Sequence, residues 1–112
     1  MISAEGMKAF QNYSEWVERK IITEPQDRLN ENVLGLCEEA GEVAGKIKKR
    51  IRDNKKVSPE SIISELGDVL FYTTALANYY NFNLASVITQ NMMKLDGREA
   101  RGTIKGLSLI HI

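Results

Sequence analysis

The sequence VLGLCEEAGEVAGKIKKRI occupies residues 33–51 and carries an apolar side chain at nearly every third or fourth position. This spacing lines up apolar residues on one face of an α-helix, whereas a half-buried β-strand would require strict alternation. Asn30 precedes the segment and is a suitable N-cap, so we predict a helix over residues 31–53. The predicted apolar face includes Cys37, which we expect to be a small buried side chain.

Helical periodicity continues on both sides of this segment, and alternation of period two is nowhere sustained. Ser3 and Asn83 are suitable N-caps, and the dipeptide Ser58–Pro59 is a typical helix start. The predicted helices cover about residues 4–21, 31–53, 59–80 and 84–100. We therefore predict an all-α fold that resembles a four-helix bundle, packed as an oligomer.

Composition excludes several classes of protein. The 112 residues contain 15 Lys plus Arg and 15 Asp plus Glu, and this balance argues against a general nucleic-acid binder. Cys37 is the only cysteine, so an internal disulfide is impossible and we expect a reducing, cytoplasmic location. We find no targeting segment and no apolar run of about 20 residues, so we expect neither export nor membrane contact.

A single domain is predicted over residues 1–106, followed by the unpatterned apolar tail LSLIHI at residues 107–112. The tail matches a reading frame of the adapter end used in transposon-based sequencing libraries. We therefore hypothesise that it is an assembly artefact. His111, the only histidine, lies in this tail, and we assign it no role.

One pattern occurs twice, at residues 39–43 and 65–69: a carboxylate, any residue, Gly, a second carboxylate and Val. The acids of each pair lie one helical turn apart beside the apolar face. Such pairs are common on solvated helix faces, but the repetition with matched Gly41 and Gly67 favours a metal site. Oxygen ligands without His or Cys suit Mg²⁺, with Mn²⁺ as a substitute. The four acids are Glu39, Glu42, Glu65 and Asp68.

Three segments of the chain are informative together: LCEEAGEV at residues 36–43, SELGDVLFY at residues 64–72 and NMMKLDGR at residues 91–98. The first two resemble the paired E-x-x-E and E-x-x-D motif of the MazG-like, all-α nucleoside triphosphate pyrophosphohydrolases. The third is similar to the N-x-x-K-L-x-x-R element that follows in that family. The resemblance covers about residues 10–106.

This resemblance implies a role for each matched position. The four acids match the Mg²⁺ ligands, and Lys94 and Arg98 match residues that hold the substrate phosphates. The implied reaction is attack of a metal-activated water on the α-phosphorus of a nucleoside triphosphate, which releases a monophosphate and pyrophosphate. Four further candidates have ordinary surface or packing roles as their alternatives. They are Glu38 as the residue that orients or deprotonates the water, Tyr72 beside the nucleotide, and Asn91 and Lys46 as phosphate or sugar contacts.

Oligomerisation and substrate are further expectations. Four helices in a small domain with polar ligand edges would gain from packing against a second copy, so we expect a homodimer or homotetramer. The expected task is housekeeping of the (d)NTP pool. A phosphoribosyl-ATP pyrophosphohydrolase and a non-catalytic helical dimer that binds a nucleotide or a protein are the alternatives. Phe10, Tyr13 and Trp16 form either a base-stacking wall or part of the core.

Overall fold

A computed structural model describes residues 1–102, which form four α-helices and no strand within that range. The fold class predicted from the sequence is therefore confirmed as all-α. The tail at residues 107–112 lies outside the described residues. The helices are α1 (Ala4–Lys20), α2 (Arg28–Asp53), α3 (Pro59–Tyr79) and α4 (Leu84–Ala100).

The starts of three helices follow the predicted capping residues. In each case a side-chain oxygen of the cap accepts a hydrogen bond from a backbone N–H of the first turn, which stabilises the helix end. Ser86 also reaches back to the Asn83 backbone, which completes a capping box at α4. The caps are Ser3, Ser58 and Asn83, and their donors are the N–H groups of Gly6, Ser61 and Ser86 at 3.1–3.2 Å.

The predicted start of α2 was wrong. The helix begins at Arg28, not at residue 31, after a single 3₁₀ turn over Pro25–Asp27. The guanidinium of Arg28 holds this start in place, because it forms a bidentate ion pair with Glu18 of α1 and donates to the carbonyl of Ala75 on α3. Asn30 is therefore an exposed residue inside the helix.

Helices α2 and α3 form a long antiparallel hairpin, and α1 and α4 pack on α3 and on each other. The buried residues cluster where α1, α4, the first part of α2 and the end of α3 meet. No residue between positions 33 and 73 is fully buried, so the far half of the hairpin extends beyond the core. The buried residues are Ser14, Val17, Asn32, Thr74, Ala75, Leu84 and Ala85.

The apolar face predicted for α2 is wider than the part of α2 that α3 covers. Leu36 and Val43 turn toward α3 and are half-buried, whereas Ile51 is 78% exposed. Cys37 is exposed too, so its predicted burial was wrong. The antiparallel pairing turns the uncovered stripes of both helices to one side of the hairpin, which we call the outer face. It consists of Val33, Cys37, Ala40, Ala44, Ile47 and Ile51 on α2, and Ile63, Leu66 and Leu70 on α3.

None of the helices in residues 1–102 has the length and the apolar character needed to cross a membrane.

Candidate functional site

A close contact between α2 and α3 sets the register of the two helices, that is, which side chains of α2 lie opposite which side chains of α3. The ring of Tyr72 lies directly over Gly35, where a Cβ atom would come within 2.5 Å of the ring carbon Cε1. One helical turn away on each helix lie Glu39 and Asp68. Their carboxylates are therefore brought together by the Gly35–Tyr72 contact. This role of Gly35 was not predicted, because its partner Tyr72 lies 37 positions later in the chain.

An acidic cluster follows from this register. Glu39, Glu65 and Asp68 each have a carboxylate oxygen within 4.8 Å of the others. Glu39 and Glu65 are half-buried between the helices, and Asp68 is exposed. Glu42, the fourth predicted ligand, is exposed and does not belong to this group of three. Oxygen donors at this spacing fit a hard divalent cation such as Mg²⁺.

The pKa values of the two half-buried acids of the cluster are shifted in opposite directions. A hydrogen bond with Glu65 is the main reason that the pKa of Glu39 is raised, with partial desolvation and the charges of Asp68, Glu65 and Glu38 acting in the same direction. The pKa of Glu65 is lowered, chiefly by a hydrogen bond from Lys46. Glu38, the candidate base, thus lies close enough to act on the cluster, while its own side chain is exposed.

Lys46 forms an ion pair with one acid of the cluster. Its Nζ atom lies 3.0 Å from Oε1 of Glu65 and donates to the backbone carbonyl of Ser61 at 3.1 Å. Only 27% of the Lys46 side chain and 16% of the Glu65 side chain are exposed. Lys46 was a candidate phosphate or sugar contact, and its pairing with a predicted metal ligand was not predicted.

A row of aromatic rings adjoins the cluster. Tyr13 stacks on Trp16 at 5.7 Å between ring centroids, Trp16 meets the edge of Phe71 at 6.2 Å, and Phe71 meets Tyr72 at 5.4 Å. Burial and the charge of Asp68 raise the pKa of Tyr13, and burial and Glu39 raise that of Tyr72. Trp16 is 42% exposed. The row therefore presents part of its aromatic surface to solvent next to the carboxylates.

The predicted phosphate contacts on α4 lie elsewhere. Asn91 and Lys94 line an apolar groove of about 640 Å³ together with Thr73 and Ala77 of α3. At about 100° per residue, Thr73 and Ala77 lie about 140° and 180° around α3 from Asp68. Within one chain, the groove and the acidic cluster are thus on different sides of α3. Arg98, one turn after Lys94, is half-buried on α4.

Comparison with known proteins agrees with this architecture. Residues 28–102 match the MazG nucleotide pyrophosphohydrolase domain, a range that contains the acidic cluster, Tyr72 and the α4 motif. The chain is also 42% identical over 77 residues to the Gene 37 protein of Mycobacterium phage L5, which covers 65% of this chain and 68% of that protein. No solved structure was found to match. Since the matched domain spans most of the sequence, the chain belongs to the MazG nucleotide pyrophosphohydrolase family.

Proposed function

We propose that this protein is a Mg²⁺-dependent pyrophosphohydrolase of nucleoside triphosphates that maintains the cytoplasmic (d)NTP pool. The observation that carries the proposal is the convergence of Glu39, Glu65 and Asp68, with oxygens within 4.8 Å of one another. Three carboxylates so close repel each other, and a divalent cation offsets that repulsion. When bound, Mg²⁺ would activate a water molecule and neutralise phosphate charge, while Mn²⁺ has similar ligand preferences.

The reaction forms a bond between a water oxygen and the α-phosphorus, and breaks the bond from that phosphorus to the bridging oxygen. The products are a nucleoside monophosphate and pyrophosphate. Glu38 is the proposed acceptor of the proton that the water loses, because its exposed carboxylate lies beside the cluster. Glu42 is proposed to join the ligands, since it lies one turn after Glu38 on the same helix.

The aromatic row supports a nucleotide as the substrate. Base stacking uses aromatic side chains that solvent can reach, and Trp16 is 42% exposed, with Tyr13 stacked on its ring and Nζ of Lys20 over the ring at 5.6 Å from the centroid. Tyr72 is proposed to border the same site, because burial and then the charge of Glu39 raise the pKa of its hydroxyl, and its ring packs against Gly35 one turn from Glu39. For Asn91, Lys94 and Arg98 the support for phosphate contact is the family motif rather than proximity to the cluster.

The decisive experiment is product analysis. The protein is incubated with canonical and modified (d)NTPs and with phosphoribosyl-ATP, with and without Mg²⁺. We expect a monophosphate and pyrophosphate from the (d)NTPs, and loss of both in Glu39→Gln and Asp68→Asn. Glu60→Gln, an exposed acid on the same helix as Asp68, is the matched control and should remain active. Release of orthophosphate, or no turnover of any compound by the folded protein, would contradict the proposal.

We further propose that two copies associate through the outer face. Ile51 and Ile63 are 78% and 65% exposed there, a large apolar exposure for a soluble domain. The radius of gyration is 16.5 Å, whereas a compact chain of this length would have about 13 Å. Three of the five acids of α2 lie in its first half and five of its six bases in the second, so an antiparallel pairing of two α2 helices would be electrostatically complementary.

Sedimentation analysis tests this association. We expect a dimer or tetramer, and a shift toward monomer when the outer face is made charged by Ile51→Glu or Leu66→Glu. Ile22→Glu is the matched control, because Ile22 is 94% exposed in the loop after α1 and does not lie on the outer face. A monomeric wild-type protein at high concentration would refute the proposed association without bearing on catalysis.

A further inference from the structure

Lys46 is a basic side chain that contacts the acidic cluster. It lies one turn after Glu42 on α2, so its chain runs along the helix interface toward α3. Its ammonium group touches Oε1 of Glu65 at 3.0 Å and the carbonyl of Ser61 at 3.1 Å. Both contacts are on α3, so Lys46 links the two helices that carry the cluster.

The position of this ammonium group has an electrostatic consequence. Three carboxylates within 4.8 Å of one another need positive charge nearby. With the Lys46 side chain 27% exposed and Glu65 16% exposed, solvent screens their contact only in part. Lys46 thus supplies positive charge to the cluster in the protein alone. An ammonium group is a compact cation on a flexible stem, and it can move away when another cation arrives.

We infer that Lys46 acts as an internal cation that holds Glu65 in place in the metal-free protein and is displaced when a divalent metal binds the cluster. This inference rests on the proposed metal site. Lys46 and the metal compete for the same carboxylate and also repel each other. The displaced ammonium group remains attached to α2 beside the cluster, where it can meet a phosphate oxygen of the substrate. In the metal-free protein Lys46 is therefore a positioning residue, and only after its displacement is it available to contact the substrate.

Competition of this kind predicts two linked changes, one in the stability of the metal-free protein and one in the affinity for Mg²⁺. By linkage, whatever the Lys46 contact adds to the stability of the metal-free protein is subtracted from the affinity for the metal. Lys46→Met should lower the melting temperature of the metal-free protein and tighten Mg²⁺ binding. We expect the dissociation constant for Mg²⁺ to fall about two- to fivefold, as for the loss of one partly exposed ion pair.

The test uses calorimetric titration of the full chain with MgCl₂ and thermal melts in EDTA, so neither readout depends on activity. Lys46→Gln is the second variant, because it removes the charge but keeps an amide donor for Glu65 and Ser61, and it should fold even where Lys46→Met does not. Lys48→Met is the matched control. Lys48 is exposed two residues further along α2, and its replacement should change the Mg²⁺ affinity less than twofold.

The outcomes separate this inference from the proposed function. Wild-type protein that binds Mg²⁺, together with Lys46 variants that bind it more tightly, supports the displacement. Unchanged or weaker Mg²⁺ binding in both Lys46→Met and Lys46→Gln overturns it, while the metal site itself stands. Wild-type protein that shows no Mg²⁺ binding refutes the proposed metal dependence, and the displacement with it.

Discussion

Replacing Gly35 by Ala should lower the free energy of unfolding, although alanine is the better helix former. A Cβ atom at this position would lie 2.5 Å from Cε1, 2.6 Å from Cζ and 2.8 Å from Cδ1 of the Tyr72 ring. The ring cannot simply retreat, because it is half-buried and packs against Phe71 at 5.4 Å. Overpacking of this kind costs about 1–3 kcal/mol, and the gain from replacing a helical glycine is about 1 kcal/mol. The net loss of stability should be up to about 2 kcal/mol.

Gly41→Ala is the matched control on the same helix. A Cβ atom at Gly41 would meet nothing within 4 Å, so only the helix propensity changes. We expect a gain in stability of up to about 1 kcal/mol. Urea unfolding followed by far-UV circular dichroism, on metal-free protein at several concentrations, measures both variants. The two substitutions should therefore shift the unfolding midpoint in opposite directions.

The Gly35 contact also bears on the site, because Glu39 and Asp68 each lie one turn away from it. If the added methyl group pushes α2 and α3 apart, the carboxylates separate and Mg²⁺ binding weakens. Gly35→Ala that is as stable as Gly41→Ala would refute the packing argument. A clear loss of stability with unchanged Mg²⁺ affinity would instead refute the role of this contact in positioning the acids.

Substitutions at three further positions test other parts of the structure. Arg28 lowers the pKa of Glu18, so their contact stabilises the protein above the usual pKa of a carboxyl group and is lost as the pH falls through the lowered value. The stability difference between wild type and Glu18→Gln in urea unfolding should thus shrink from pH 7 toward pH 3, and a constant difference would contradict this. Trp16→Ala should raise KM for a nucleoside triphosphate severalfold and Trp16→Phe much less; equal KM values would exclude stacking. Lys94→Ala should raise KM with little effect on Mg²⁺ binding, and unchanged kinetics would remove Lys94 from the substrate contacts.

Local chemistry explains which helix ends the sequence predicted. Ser3, Ser58 and Asn83 cap helices through oxygens that reach the N–H group three residues later, so the signal and the structure occupy the same few positions. The start of α2 was missed because Arg28 is held by Glu18 and by the carbonyl of Ala75, which are distant in sequence. Periodicity within one helix carries no information about such partners.

In the candidate site, too, features within one helix could be predicted from the sequence, and features that depend on contacts between helices could not. Spacing within α2 and within α3 was sufficient to predict that the paired acids of each helix lie on one edge of that helix, because each helix fixes its own faces. It was not sufficient to predict that Lys46 pairs with Glu65, which depends on how the two helices slide past each other. The placement of Lys94 on another side of α3 depends on the path of α4, which no spacing rule describes.

The location of the cluster ties its chemistry to the stability of the hairpin. No residue from 33 to 73 is fully buried, so the part of α2 and α3 that carries the acids has little core of its own. Mutual repulsion of Glu39, Glu65 and Asp68 acts on this least supported region, and Lys46 offsets it only in part. A ligand that binds the folded hairpin and not the unfolded chain adds stability that grows with the logarithm of its concentration once this exceeds the dissociation constant. A divalent cation between the acids and a second copy on the outer face would both act on these two helices. Each would therefore favour the conformation that binds the other, which makes metal affinity and self-association linked properties of one hairpin.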